Sequence, residues 1–201
     1  MAEKIALCGL NPQEICEKLN VSPSFRGKQI FGWVAKGVTS FEEMKNVDKA
    51  TIALLNESAL LRSSKVGKVL RDSDGTIKLQ ILLQDSRAVE TVLLTDKEGR
   101  KTACVSCQAG CAMGCAFCKT GTLGLGRNLT AAEIVEEFFF LEKEAGTLDN
   151  IVFMGMGEPL QNLKSIQKAV EILTDPKGRA LSSRRITLST RKKVSFVRPS
   201  T

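Results

Sequence analysis

From Lys101 onward the apolar pattern alternates strand, helix, strand, helix, strand, and that alternation confines this part of the chain to the α/β class with a parallel sheet. Lys101–Ser106 reads as the first strand. Thr130 then caps a helix with Glu133 at its third position, and Leu129 and Ile134 stand where a hydrophobic staple would close. That helix carries Ile134, Val135, Phe138 and Leu141 and is expected to end near Gly146. Ile151-Val152-Phe153-Met154 reads as a buried strand leading into the loop Gly155-Met156-Gly157-Glu158-Pro159. Asn162 opens a second helix, and Ile186-Thr187-Leu188-Ser189 is the third strand. In such sheets functional residues collect at the carboxyl ends of the strands.

The preceding residues follow other periods. Asn11-Pro12-Gln13-Glu14 and Ser40-Phe41-Glu42-Glu43 are capping boxes, Ser24 is placed to start a helix that Gly37 ends, and Ile52, Leu54 and Leu55 lie on a further helical stretch. Cys8 and Cys16 read as small buried residues. From Ser64 the period changes to two, with a hairpin signal around Asp74-Gly75 and a third strand over 88–94. The expected organisation is therefore a helical domain over 1–62, a β connector over 63–98 and an α/β domain over 99–201.

Composition narrows the chemistry. The 201 residues contain no histidine, which removes Ser-His-Asp and Cys-His catalysis and every imidazole-dependent metal site. No run approaches the roughly 18 apolar residues of a membrane span, and charges through the first 20 residues argue against a signal peptide. Seven cysteines in that context suggest a reducing cytoplasmic setting, where clustered thiols serve metals or chemistry. The net charge of +7 is local: residues 177–201 hold eight Lys or Arg and no acid, leaving 21 basic against 22 acidic residues elsewhere. A phosphate-binding tail and a solvated end are equally good accounts of that charge.

Five of the seven cysteines (Cys104, Cys107, Cys111, Cys115 and Cys118) fall within 15 residues. No second C-x2-C pair follows, as structural zinc would require, and Lys119 stands where a ferredoxin run has proline. What remains is Cys111-x3-Cys115-x2-Cys118 in a loop of small residues, suited to three ligands on a four-iron cluster with one iron left open. A merely structural thiol group is the alternative.

Cys111-Ala-Met-Gly-Cys115-Ala-Phe117-Cys118 resembles the cluster signature of radical S-adenosylmethionine (SAM) enzymes, and Gly155-Met-Gly157-Glu158-Pro159 resembles their SAM-binding loop. Cys104-Val-Ser-Cys-Gln-Ala-Gly-Cys111, Gly126-Arg-Asn-Leu-Thr130, Phe153-Met-Gly-Met-Gly-Glu-Pro-Leu and Arg185-Ile-Thr-Leu-Ser-Thr190 together resemble the dual-specificity adenine-C2 RNA methyltransferases, over residues of about 5–190. The resemblance implies the first half of a partial (β/α)6 barrel behind the helical domain and the connector. It implies a [4Fe–4S] cluster on Cys111, Cys115 and Cys118, and SAM held by Gly157, Glu158 and Ser189, with Phe117 near its adenine. For Phe117 a plain core position is the competing account; for Glu158 it is a solvated loop acid. Cys104 matches the cysteine that resolves a covalent adduct with RNA, and Glu90 matches the proton acceptor, with one extra residue between the two here. Cys107 reads as bystander or structural.

The implied partners are 23S rRNA and tRNA and an electron donor of flavodoxin or ferredoxin type, for a monomer that engages no membrane. The family's methyl-carrying cysteine lies far beyond the third strand. No cysteine follows Cys118 in this sequence, and Arg191–Thr201 departs from the family pattern. The expectation is a carboxyl-terminally truncated methyltransferase that does not methylate adenine, with a non-catalytic Fe–S or RNA-binding fragment as the alternative.

Overall fold

This computed structural model describes residues 4–191. The amino-terminal segment is closed on itself by a short parallel ladder between β1 (Ile5–Ala6) and β2 (Ala59–Leu60), which the sequence did not announce. Between them lie α1 (Pro12–Leu19), α2 (Phe25–Ala35) and α3 (Lys49–Ser58). The capping box of α1 is complete: Asn11 Oδ1 accepts from Glu14 N at 2.9 Å, and Glu14 Oε2 accepts from Asn11 N at 2.8 Å. Ser24 precedes α2 without capping it, and the Ser40 box nucleates only the 3-10 turn Phe41–Glu43. Cys8 is buried as expected, whereas Cys16 is only half-buried because its helix crosses α2 near the surface.

The strands expected as a connector are half of a larger sheet. β3 (Lys65–Arg71), β4 (Ile77–Leu82) and β5 (Ala88–Thr95) form antiparallel hairpins, and β6 (Lys101–Cys104) pairs antiparallel with β5. On its other side β6 pairs in parallel with β9 (Asn150–Phe153), which pairs in parallel with β10 (Ile186–Leu188). The sheet order is thus β10-β9-β6-β5-β4-β3, and β6 is the strand at which pairing changes sense. The α/β class follows. Between β6 and β9 the chain inserts a two-stranded ribbon, β7 (Gln108–Gly110) and β8 (Leu125–Asn128), and then α4 (Ala131–Ala145); α5 (Leu163–Thr174) joins β9 to β10.

Both helices cover one face of the sheet. Leu79, Ile81, Val89, Leu93, Ala103, Ile151 and Phe153 point into a core shared with Ile134, Val135, Phe138 and Leu141 of α4 and Ile166, Ala169 and Leu173 of α5. The alternate residues, including Lys78, Gln80, Glu90, Val92, Cys104 and Thr187, lie on the opposite, uncovered face.

Helix α4 is unusual in burying three acids on its inner side: Glu133, Glu136 and Glu137. Glu136 holds the chain where the helical segment passes into β3. Its carboxylate accepts from Ser63 N at 2.6 Å, Ser63 Oγ at 3.0 Å and Ser64 N at 2.8 Å, and also from Ser64 Oγ. Glu137 accepts from Ser106 N at 2.9 Å through Oε2, while its Oε1 has no partner among the described residues. Burial pushes the Glu137 carboxyl well above the ordinary glutamate value, and burial raises Glu136 in the same direction against its hydrogen bonds. A proton on the carboxyl would remove the buried charge.

The folded protein therefore keeps protons that the unfolded chain releases above about 4.5, and its stability falls as pH rises from there through the folded-state pKa values. Denaturant titrations from about pH 5 to about pH 8 should show this loss, at most about 1.36 kcal/mol per pH unit for each proton. Glu137→Gln should flatten the profile. A profile identical to the parent's would show that Glu137 is already ionised at the lower end.

Candidate functional site

Four segments converge at the carboxyl ends of β6, β9 and β10: residues 104–108, the cysteine loop 111–124, the loop 154–162 and the end of β10. Backbone bonds knit the first to the third. Gly155 N donates to Val105 O at 3.1 Å, while Cys107 N and Gln108 N both donate to Met156 O, at 2.8 and 3.1 Å. Met156 N donates to Ser106 Oγ at 2.9 Å.

Gln108, fully buried, is the centre of this network. Its Oε1 accepts from Glu158 N at 2.8 Å, and its Nε2 donates to Asn128 Oδ1 at 2.7 Å on β8. Gly157 is required at this junction: its φ is +107°, and a Cβ there would stand 2.6 Å from Gln108 Cβ and 2.8 Å from Gln108 N. Asn162, read from the sequence only as a helix opener, donates its Nδ2 protons to Cys107 O at 2.7 Å and Leu129 O at 2.8 Å. Neither Gln108 nor Asn162 belongs to a residue type that advertises a site. The usable signal was position: Gln108 lies three residues before Cys111 and Asn162 three after Pro159.

Glu158 is buried, which excludes a solvated loop acid. Its Oε1 accepts from Leu160 N at 3.2 Å and from Thr190 Oγ1 at 2.5 Å, and its Oε2 accepts from Arg191 N at 3.2 Å. Ser189, the residue singled out at the end of β10, is exposed, and its two successors make these contacts instead.

The cysteine loop springs from the β7–β8 ribbon. Its base is pinched where Cys111 N donates to Gly124 O at 2.8 Å; beside it Gly110 has φ +89°, and a Cβ there would lie 2.0 Å from that same oxygen. Arg127 on β8 fastens the ribbon: its guanidinium grips Glu133 of α4 at 2.7 and 2.8 Å and Asp85 of the β4–β5 turn at 2.6 Å. Cys111 is buried, while Cys115 and Cys118 are half-exposed. The Cys118 thiol is held below its ordinary value by the N–H groups of Gly121 and Thr120, and Arg191 Nη1 reaches Cys115 Sγ at 2.9 Å. Phe117, at 89% exposure, stands free of the core, which removes the plain core reading.

By donor chemistry the loop fits an iron–sulfur cluster: three free thiols, one activated by backbone N–H groups and another beside a guanidinium. Among the described residues no three Cys, Asp or Glu groups are gathered as a finished metal site, so the three sulfurs share a loop without yet converging. Cys107 is a poor fourth thiol. It is buried, and burial together with the nearby Glu137, Glu158 and Cys111 charges pushes its thiol up to about 12.

Cys104 ends β6 on the open face. Burial raises its thiol, opposed by the Met154 N–H and reinforced by the Glu137 charge. Glu90 lies on the same face of the adjacent strand, since Val92, two residues on, pairs with Cys104. It is exposed and ion-paired with Lys78 at 3.3 Å. The structure thus brings Glu90 and Cys104 to one surface. The residues of the basic tail beyond Arg191 (Lys192, Lys193 and Arg198) lie outside the described residues.

Comparisons with known proteins bear on this arrangement. The family described as the Radical SAM superfamily matches residues 105–194. A Treponema denticola protein named "Probable dual-specificity RNA methyltransferase RlmN" is 58% identical over 187 residues, covering 93% of this chain and 54% of that protein. The protein of the same name from Treponema pallidum (strain Nichols) is 54% identical over 185 residues, covering 92% of this chain and 54% of its own length. A solved structure, described as a radical SAM methyltransferase from Sphaerobacter thermophilus, superposes with a TM-score of 0.86 at 40% identity, covering 92% of this chain and 57% of that one. The chain spans about half the length of the curated relatives it matches.

The steric argument at Gly157 is testable without any cofactor. Gly157→Ala should lower unfolding stability by about 3 kcal/mol in denaturant titration, because the left-handed backbone and the Gln108 side chain both oppose a methyl group. Gly155→Ala and Gly121→Ala provide a scale of crowding without a positive φ. A Gly157→Ala protein as stable as the parent would mean that the loop is not seated on Gln108.

Proposed function

From the match of residues 105–194 to the Radical SAM superfamily we propose that the chain carries the cluster loop and the first part of the SAM site of an RNA methyltransferase acting on adenine C2 in 23S rRNA and tRNA. The observation that carries the proposal is the Gln108 strap. It binds the N–H of Glu158 while standing three residues from Cys111, so that a buried acid and a three-thiol loop are held in one rigid unit. In this reading Cys111, Cys115 and Cys118 hold a [4Fe–4S] cluster. Bound there, the cluster would supply the electron for reductive cleavage of SAM.

Glu158 would accept hydrogen bonds from the SAM amino group in place of those it takes from Thr190 Oγ1 and Arg191 N. Gly157 would give the ligand close access to the backbone, Ser189 would contribute from the end of β10, and the exposed Phe117 would be available to the adenine. On the open sheet face the Cys104 thiolate would attack the sulfur of a methyl-carrying cysteine that tethers the RNA, closing a disulfide as that sulfur–carbon bond breaks, and Glu90 would take the C2 proton; no cysteine after Cys118 in this sequence supplies that sulfur. The segment β6–α4–β9–α5–β10 corresponds to the first three strand units of a (β/α)6 barrel, behind a helical segment over 1–62 and strands over 63–98. The enzyme works as a monomer in the cytoplasm, with electrons from a flavodoxin- or ferredoxin-type donor.

Anaerobic reconstitution with iron and sulfide should give about four irons per chain and thiolate-to-iron absorbance. Cys111→Ala, Cys115→Ala and Cys118→Ala should each lose both, and Cys107→Ala should keep both. Iron lost from Cys107→Ala but retained by Cys111→Ala would refute the ligand set. In the reconstituted protein Glu158→Gln should weaken SAM binding by calorimetry while leaving iron content unchanged; unaltered affinity would remove Glu158 from the SAM site.

A further inference from the structure

The open face of the sheet bears one uninterrupted cross-strand row through Cys104. Leu70 pairs with Lys78, Lys78 with Val92, Val92 with Cys104, Cys104 with Val152, and Val152 with Thr187. Paired residues share a face, so all six side chains stand on the same surface. The neighbouring row is Lys68–Gln80–Glu90. Lys68 reaches this face only because the β3–β4 register shifts between Val66 and Lys68; without that bulge it would share the inner face with Val66.

The half of the row beyond the catalytic pair is basic and uncovered. Leu70 is 49% exposed and the Lys78 side chain 42%. Lys65 and Lys68 form no ion pair among the described residues, and Glu90 is the one acid on the strand positions of β4 and β5 that face this way. Asp85, in the turn nearby, is neutralised by Arg87 and Arg127, each at 2.6 Å. No aromatic side chain lies in either row. Strands are about 4.8 Å apart, so the surface extends about 14 Å from Cys104 to the β3 edge. A nucleotide presented to Cys104 has neighbours that must rest on protein or in solvent, and in this direction they meet lysines and aliphatic side chains.

We propose that the β3–β5 face is an RNA lane: Lys68 and Lys78 take phosphates of nucleotides flanking the target, and Leu70 and Val92 support their sugars and bases. This rests on the RNA-modifying reading above and adds where the strand runs. Without aromatic stacking, and with Gln80 the one side chain in these rows able to pair with a base edge, the lane holds mainly the backbone and discriminates little between sequences. Lys78 also keeps its Glu90 contact, so an occupied lane places a phosphate and the proton acceptor on the same ammonium group.

The test is RNA binding by the full chain as a function of salt, with a tRNA and a 23S rRNA fragment as probes. Each phosphate contact on an unpaired strand contributes about 0.7 to the slope of log affinity against log salt. Lys68→Ala/Lys78→Ala should therefore reduce the slope by about 1.4, so that the affinity lost between about 50 and 200 mM salt is about sevenfold smaller than for the parent. Leu70→Glu should weaken binding, and both probes should respond alike. Lys143→Ala/Lys164→Ala, on the helix layer behind the sheet, should leave the slope unchanged; residues 192–201 are common to every variant. An unaltered slope in the Lys68/Lys78 variant, or an equal loss in the helix-layer variant, overturns the lane and leaves the proposed activity standing. A parent chain that binds neither RNA at low salt overturns the RNA reading and the lane together.

Discussion

The buried carboxamide of Gln108 is the constraint on which the candidate site depends. Burying an amide costs free energy unless its donors and acceptor are all used, and here Glu158 N, Asn128 Oδ1 and the more distant Gln161 Oε1 at 3.4 Å use them. The partners lie on two segments: Glu158 and Gln161 on the loop between β9 and α5, and Asn128 on the strand after the cysteine loop. A single side chain thereby fixes the relative position of the two pieces that must meet a shared ligand. Asn162 repeats the device, joining Cys107 O and Leu129 O. The two ends of the thiol loop are thereby held against the loop after β9.

Helix α4 supplies the second set of ties. Three successive inward acids address three different parts of the chain: Glu133 the ribbon through Arg127, Glu136 the entry to β3 through Ser63 and Ser64, and Glu137 the segment after β6 through Ser106 N. A conventional amphipathic helix would place apolar residues at such positions. The polar choice fits what they face: a guanidinium for Glu133, and for Glu136 and Glu137 backbone N–H groups outside the strand ladders. Removing one acid would leave those donors unpaired in the interior, a larger loss than the hydrogen bonds themselves. Glu137 shows the limit of the device, since its Oε1 has no hydrogen-bond partner among the described residues.

Much of this was legible in the sequence because the signals were local. The capping boxes at Asn11 and Thr130, the Asp74-Gly75 hairpin and the alternation from β6 to β10 all depend on residues within a few positions of each other. The β7–β8 ribbon escaped notice because its strands are three and four residues long and rich in glycine, with propensity too weak to register. The β1–β2 ladder joins residues more than fifty apart, and no local pattern encodes it. The continuity of β3–β5 with the parallel strands is likewise a pairing fact. Within the site, the cysteines were visible through their spacing and Glu158 through the resemblance of its loop to a SAM-binding motif, whereas Gln108, Asn162 and Thr190 act through partners distant in sequence.

The position of Glu90 shows how pairing decides what spacing leaves open. One residue more or fewer within either strand would turn one of the two side chains to the covered face. The β5–β6 register runs without a shift from Val92↔Cys104 to Thr95↔Lys101, so both stay on the open face. The turn 96–100 sets that register: Asp96 accepts from the N–H groups of Glu98 and Arg100 and pairs with the Arg100 guanidinium at 2.6 Å. The antiparallel sense of β5 matters equally. In an all-parallel sheet only strand ends would meet the site, but β5 runs back past β6 and delivers a residue from its first half beside the last residue of its neighbour. The change of pairing sense at β6 is therefore what lets one surface hold both a strand-end thiol and a mid-strand carboxylate.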